Sequence, residues 1–297
     1  MKNILNIAIL LLLCITFSCS KTTYQDNLSS LKSHKQKNIE IRYSNSYTES
    51  QIQEVATRMK QAITFYGENI QPVTQSISVL VLNKDDWKKE TQTLYGMPYA
   101  IPSKNKVVMT LDNNDFWKST IPNQSKLTPE QNNELHLIYD NANKEVDMSK
   151  FFSLLVVHEL GHVLSAADHV QITPNSFNEL FANLFLHCYV ATKEPKLLET
   201  LEYAPSLNET LLYDANAYTT LKELDANYSS IAGVNYAWYQ NKLHVISKKF
   251  YNDKKIDGLK KFVAAFRNAN STLKTSEAIA LTEKKIDSSL ATLLKNF

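Results

Sequence analysis

The chain reads as an α+β protein, with a small N-terminal sheet and its helices followed by a mostly helical C-terminal lobe. Three observations lead there. Runs rich in β-branched and apolar residues at 39–43, 76–82 and 106–111 all fall in the first part of the chain. Beyond Thr128-Pro129, apolar residues recur at helical spacing almost to the end. The 297 residues include only 5 glycines and 8 prolines, where about 7% glycine is usual. Strands early and helices late indicate segregated layers rather than an alternating α/β sheet.

The glycines stand at 67, 96, 161, 233 and 258. That scatter excludes a dinucleotide fingerprint, a phosphate-cradling P-loop and a Gly-x-Ser-x-Gly nucleophile elbow, each of which needs glycines close together. Charge is nearly balanced, with 32 basic and 30 acidic residues. No basic block is interleaved with aromatics, so nucleic acid is not an expected partner.

The first element is a leader. Residues 1–18 carry Lys2, an apolar run from Ile7 to Leu13, and Ser18 before Cys19. The run is too short to span a bilayer comfortably and reads as a secretory signal. Thr16-Phe17-Ser18-Cys19-Ser20 resembles the lipobox of bacterial lipoproteins, with Thr16 where leucine is usual. Cys14 fits that pattern less well. The resemblance implies cleavage before Cys19, lipid attachment to it, and an exported protein anchored to a membrane. Residues 19–38 are polar and read as a flexible tether. Cys188 alone remains in the body, so no internal disulfide framework is expected.

An N-terminal α/β lobe over 39–170 follows. It opens with a strand at 39–43 and a helix over 50–66, whose apolar positions 52, 55, 59, 62, 63 and 66 share one face. Gly67 is expected to end that helix. A buried strand at 76–82, an irregular or extended stretch from Gly96 to Pro102, and a strand at 106–111 complete the sheet. Helices are expected at 129–143 and 149–167. The helical lobe over 171–297 continues with 174–192, a broken stretch at 195–226, then 234–251, 255–269 and 276–296. Thr173-Pro174 is expected to cap the helix over 174–192, with Pro at the first helical position.

The informative segment lies in the helix over 149–167, which contains His158-Glu159-Leu-Gly-His162. Histidines four apart project from one helical face and can chelate a single ion. Glu159, about a quarter turn away, can reach a metal-bound water without ligating the metal. A catalytic zinc needs a third protein ligand and one open position. In the next helix Asn175, Glu179, Asn183 and His187 recur every four residues among Phe177, Leu180, Phe181, Leu184 and Phe185. Such a polar seam needs buried partners, and a metal centre on the neighbouring helix would supply them. Glu179 is the foremost third ligand, and Asn183 is expected to support His158 or Glu179 from outside. Asp168, His169 and His187 remain as alternatives.

His158-Glu-Leu-Gly-His162 followed by Asn178-Glu179-x-Phe181-Ala182 resembles the gluzincin metallopeptidases, the clan of thermolysin and the zinc aminopeptidases. The resemblance is confined to about 150–192. It implies a zincin-like fold with the active site between the lobes, and Zn2+ held by His158, His162 and Glu179. It further implies hydrolysis of peptide or protein substrates with Glu159 as general base. The chain lacks the Gly-Ala-Met-Glu-Asn motif, so nothing anchors a substrate amino terminus as in the aminopeptidases. In that clan a downstream Tyr or His stabilises the oxyanion, and the segment from Gly233 to His244 resembles the tyrosine-bearing helix. Tyr236 is the first choice for this role, with Tyr239 and His244 as alternatives. The substrate would lie along an edge strand supplied by 95–101 or 107–110. A catalytically inactive zincin-like lipoprotein that binds peptide or a protein partner is the competing reading.

Overall fold

The computed structural model describes residues 30–170, 172–212, 217–269 and 272–297. The leader, Cys19 and the tether up to residue 29 lie outside the described residues. The chain is α+β. Its N-terminal part holds a five-stranded mixed sheet of β1 (Lys32–Gln36), β2 (Ile39–Tyr43), β3 (Ile77–Val81), β4 (Tyr99–Ile101) and β5 (Lys106–Met109), in the order β1-β2-β3-β5-β4. The β2/β3 and β3/β5 pairs are parallel, while β1 and β4 pair antiparallel at the two edges. Residues 32–36 are therefore an edge strand and not part of the tether, which alters the sequence reading at that end. The strand KSHKQ has no apolar side chain to announce it, and backbone pairing to β2 holds it.

Strand alternation divides the sheet's side chains between two faces. Ile39, Ile41, Tyr43, Val79, Val81, Val107 and Met109 enter the main core. Leu80, Leu82 and Val108 turn to the opposite face, where Trp87 of the short helix α2 (Lys84–Glu90) covers them. Helix α1 (Glu49–Asn69) makes the crossover between β2 and β3 and starts at a Thr48/Gln51 capping box. Gly67 lies in its last turn instead of ending it. Helix α3 (Asp115–Ser119) and helix α4 (Pro129–Tyr139) lead to the motif helix α5 (Ser149–Ala167). Capping at Thr128 with Pro129 in the first turn defines the start of α4.

Helix α5 is mostly apolar because it is buried between the sheet and other helices: it touches β4, β5, α1 and α6 (Asn175–Lys193). Helix α6 packs in turn against α7 (Leu198–Leu211), α8 (Leu221–Asn227) and the long α9 (Gly233–Arg267). The expected cap of α6 differs in detail. Pro174 takes the cap position and has no side-chain donor or acceptor to offer. Asp225 of α8 supplies the missing acceptor, receiving the Ser176 N–H at 2.8 Å, while the Thr173 hydroxyl accepts the Leu273 N–H at 3.0 Å. Helix α9 bends at Lys255, whose φ of 53° and ψ of −147° are not helical, at the place where a break between two helices is expected. Helices α10 (Thr275–Lys285) and α11 (Ser288–Lys295) close the fold, divided at Asp287, which caps α11. No helix of the described residues is long and apolar enough to cross a membrane.

Candidate metal centre

Four residues make just over one helical turn, so α5 presents His158 and His162 on the same side. Helix α6 brings Glu179 to the same point. The two helices approach closely because Gly161 has no side chain: a Cβ there would lie 3.2 Å from Phe185 Cδ1 and 3.4 Å from Ala182 Cα. The neighbour that favours glycine at this position is therefore α6.

His158 Nε2 lies 3.2 Å from Glu179 Oε2 and 3.2 Å from His162 Nε2, and His162 Nε2 is 3.7 Å from the same carboxylate oxygen. The three residues are 6%, 9% and 3% exposed in the order His158, His162, Glu179. Together they could hold a metal ion, and among the described residues no other group of three His, Cys, Asp or Glu side chains converges in this way. Their electrostatics are strongly coupled. Burial penalises the Glu179 charge, yet the two imidazoles outweigh it and hold the carboxyl well below the usual range. Burial likewise pulls His162 down, but Glu179 overcomes that and raises it to about 9.

Glu159 is half-buried beside the triad and is not part of it. Burial pushes its carboxyl up, the imidazoles of His158 and His162 pull it down, and Glu179 raises it again. The backbone of Ala100 lies close enough to lower the same carboxyl slightly. Ala100 belongs to β4, the edge strand beyond β5. Of the two segments expected to border the site, 95–101 contains that edge, whereas β5 is paired on both sides.

The outer support of the triad goes to the glutamate. Tyr228 Oη donates a short hydrogen bond to Glu179 Oε1, and Gln240 Nε2 donates to Glu179 Oε2 at 2.7 Å. By contrast, His158 Nδ1 and His162 Nδ1 are buried without a hydrogen-bond partner, although metal-ligating histidines usually donate through that nitrogen. Asn183 donates to the Glu179 backbone carbonyl at 3.0 Å and to Gln240 Oε1 at 2.9 Å, so it reaches the carboxylate through Gln240.

No protein-family model, curated protein or solved structure matches the chain. Function is therefore argued from the site itself.

Tyr236 is at the site: its hydroxyl accepts from Gln240 Nε2 at 2.7 Å. Burial raises its phenol well above the ordinary value, and the charges of Glu179 and Glu159 add to the effect. Its two alternatives have other surroundings. Tyr239 is fully buried with Trp238 and Leu224, its hydroxyl on the Thr220 carbonyl at 2.8 Å. His244 is buried against the Phe151 ring, and burial together with His158 and His187 lowers it to about 3.

Among the alternative third ligands, Asp168 follows the last turn of α5, where Tyr66 Oη at 2.6 Å and Gln71 Nε2 at 3.0 Å donate to it. His187 pairs with Glu202 at 2.8 Å, and His169 is exposed. None of the three joins the converging group. Sequence reasoning did not single out Tyr228 or Gln240. The available signal was the spacing of Tyr236, Gln240 and His244, four apart on α9, which matches the seam of Glu179, Asn183 and His187 on α6.

Proposed function

We propose that the chain is a zinc-dependent peptidase of zincin-like fold, exported and held at a membrane by a lipid on Cys19. The observation that carries this reading is the carboxylate of Glu159 standing beside, but outside, a converging His158/His162/Glu179 group. A group that only stored metal would have no use for that fourth side chain.

The donor set fits zinc. Two imidazole nitrogens and one carboxylate oxygen, with a fourth position left for solvent, are a catalytic ligand set. A tetrahedral ion with bonds of about 2.0–2.1 Å separates its ligand atoms by about 3.3–3.4 Å, and the distances here are 3.2, 3.2 and 3.7 Å. Bound Zn2+ would supply Lewis acidity, bringing the pKa of a water toward about 7 and polarising the scissile carbonyl.

The chain's own groups supply the remainder. Glu159 takes the proton from the attacking water and delivers it to the departing amine. Tyr236 donates its O–H to the oxygen that becomes negative, an interaction whose removal typically costs about 3–4 kcal/mol in the transition state. The edge strand β4 offers backbone groups along which an extended peptide can align beside Glu159.

The test pairs zinc content with cleavage of a random peptide library for wild type, Glu159→Gln and Glu179→Ala. The expected pattern is zinc and cleavage in wild type, zinc without cleavage in Glu159→Gln, and neither in Glu179→Ala. Equal zinc in all three with no cleavage would end the peptidase reading and leave the peptide-binding alternative.

A further inference from the structure

We infer that Gln240 is a positioning residue that ties the metal ligand Glu179 to the hydroxyl of Tyr236. It presents an N–H to Tyr236 Oη, so that the phenol accepts on the side facing the ligand. The inference rests on the proposed peptidase reading and deepens it.

The argument begins with Asn183. Its side-chain amide has two N–H groups, and both are committed: one to the Glu179 carbonyl at 3.0 Å and one to Gln240 Oε1 at 2.9 Å. Because both acceptors are oxygens, the Asn183 amide cannot be turned over without losing both bonds. The Gln240 amide is oriented in turn. With Oε1 facing Asn183, its two N–H groups point to Glu179 Oε2 at 2.7 Å and to Tyr236 Oη at 2.7 Å. A turned-over Gln240 would set its oxygen against a carboxylate oxygen and its nitrogen against the Asn183 amide. Both contacts would be repulsive.

Two consequences follow for the site. The bond to Glu179 Oε2 is charge-assisted and holds the very oxygen that faces His158 Nε2 and His162 Nε2. Tyr228 meanwhile occupies Oε1, so the carboxylate is fixed at both ends with Oε2 toward the histidines. The second consequence concerns Tyr236, whose oxygen accepts from Gln240. The same Nε2 therefore bridges the ligand oxygen Glu179 Oε2 and the Tyr236 hydroxyl. With Gln240 in place, that side of Tyr236 Oη is filled by an N–H, so the phenol accepts there and does not donate. The arrangement depends on two four-residue pairs facing each other across the α6/α9 contact, Glu179 with Asn183 and Tyr236 with Gln240.

The experiment measures Zn2+ affinity by chelator competition, the visible spectrum of the cobalt-substituted protein, and kcat and KM separately. These are compared in wild type, Gln240→Met and Asn183→Asp. Gln240→Met keeps side-chain length and removes both donors. Asn183→Asp leaves Gln240 in place but removes the donor that orients it, and serves if Gln240→Met does not fold. The expected result for each is Zn2+ binding weaker by about 10–100-fold, an altered cobalt spectrum, and a lower kcat at nearly unchanged KM.

A packing role alone would lower thermal stability and leave the cobalt spectrum as in wild type. Wild-type Zn2+ affinity and an unchanged cobalt spectrum in both variants would overturn the inference while the metal site stood. Failure of the wild-type protein to bind Zn2+ would overturn the peptidase reading and this inference with it.

Discussion

Gly161→Ala sets two effects of opposite sign against each other, and the structure decides between them. In a helix interior, alanine is better than glycine by about 1 kcal/mol, so propensity alone would stabilise α5. The new Cβ would stand 3.2 Å from Phe185 Cδ1 and 3.4 Å from Ala182 Cα, closer than carbon atoms pack comfortably. Phe185 cannot simply swing aside. It is fully buried, with the rings of Phe65, Tyr66 and Phe181 at centroid distances of 6.1, 5.7 and 6.3 Å. Overpacking of this kind costs about 1–3 kcal/mol.

The balance is a net loss of about 1 kcal/mol, read as a fall in Tm of about 2–4 °C. The strain is relieved by separating α5 from α6, which draws Glu179 away from His158 and His162. Zn2+ affinity is therefore expected to drop by about tenfold, an effect comparable to loss of an outer support of the site. Thermal denaturation of the metal-free protein and chelator competition measure the two terms independently. A variant stabilised by the full helix-propensity gain, with wild-type Zn2+ affinity, would refute the claim that close helix approach positions the ligand.

Two further predictions concern residues away from the triad. Glu194 accepts both arms of the Arg58 guanidinium at 2.8 Å, together with the Tyr189 hydroxyl at 2.8 Å. Burial raises its carboxyl, but Arg58 outweighs that and leaves it below its usual 4.5. Its contribution to stability is thus fully present above about pH 4.5 and is lost as pH falls through the lower folded-state value. Glu194→Gln is expected to be less stable than wild type at pH 6, with the difference shrinking on acidification in denaturant titrations. A constant difference down to pH 3 would contradict the pairing. Asp168→Asn should leave zinc content unchanged and reduce stability by about 1 kcal/mol, since it weakens acceptors for Tyr66 and Gln71. Loss of zinc in that variant would return Asp168 to the list of ligands.

Much of the fold was legible because burial imposes period on sequence. The residues expected for the motif helix, 149–167, coincide with α5, and 39–43 coincides with β2. What periodicity cannot see is an element held by something other than an apolar face. Strand β1 is one case. Helices α2 and α3 are too short to show a period, and they begin at Asn83 and Asn114, whose side chains cap them. Gly67 failed as a stop signal because the last helical turn tolerates a glycine near the surface, where nothing but Pro72 approaches it.

The site was legible to the same depth and for a related reason. Ligands separated by one helical turn are a local property, so His158, His162 and the seam through Glu179 can be read from spacing alone. Support across a helix pair is not local. Tyr228 follows α8, 49 residues from Glu179, and only the packing of α8 and α9 on α6 brings its hydroxyl to the carboxylate. Gln240 lies 61 residues away, with Asn241 and Lys242 after it, and nothing local marks it out. Yet the seam on α6 carried the information in incomplete form. Buried Glu179, Asn183 and His187 each required a partner, and any helix covering them had to present polar groups at the same four-residue interval. Tyr236, Gln240 and His244 on α9 have that interval. Gln240 meets the seam directly and Tyr236 through it, whereas His187 turns instead to Glu202 of α7. A polar row inside one helix is therefore a prediction about another helix, and the partner can be sought by matching intervals before any contact is known.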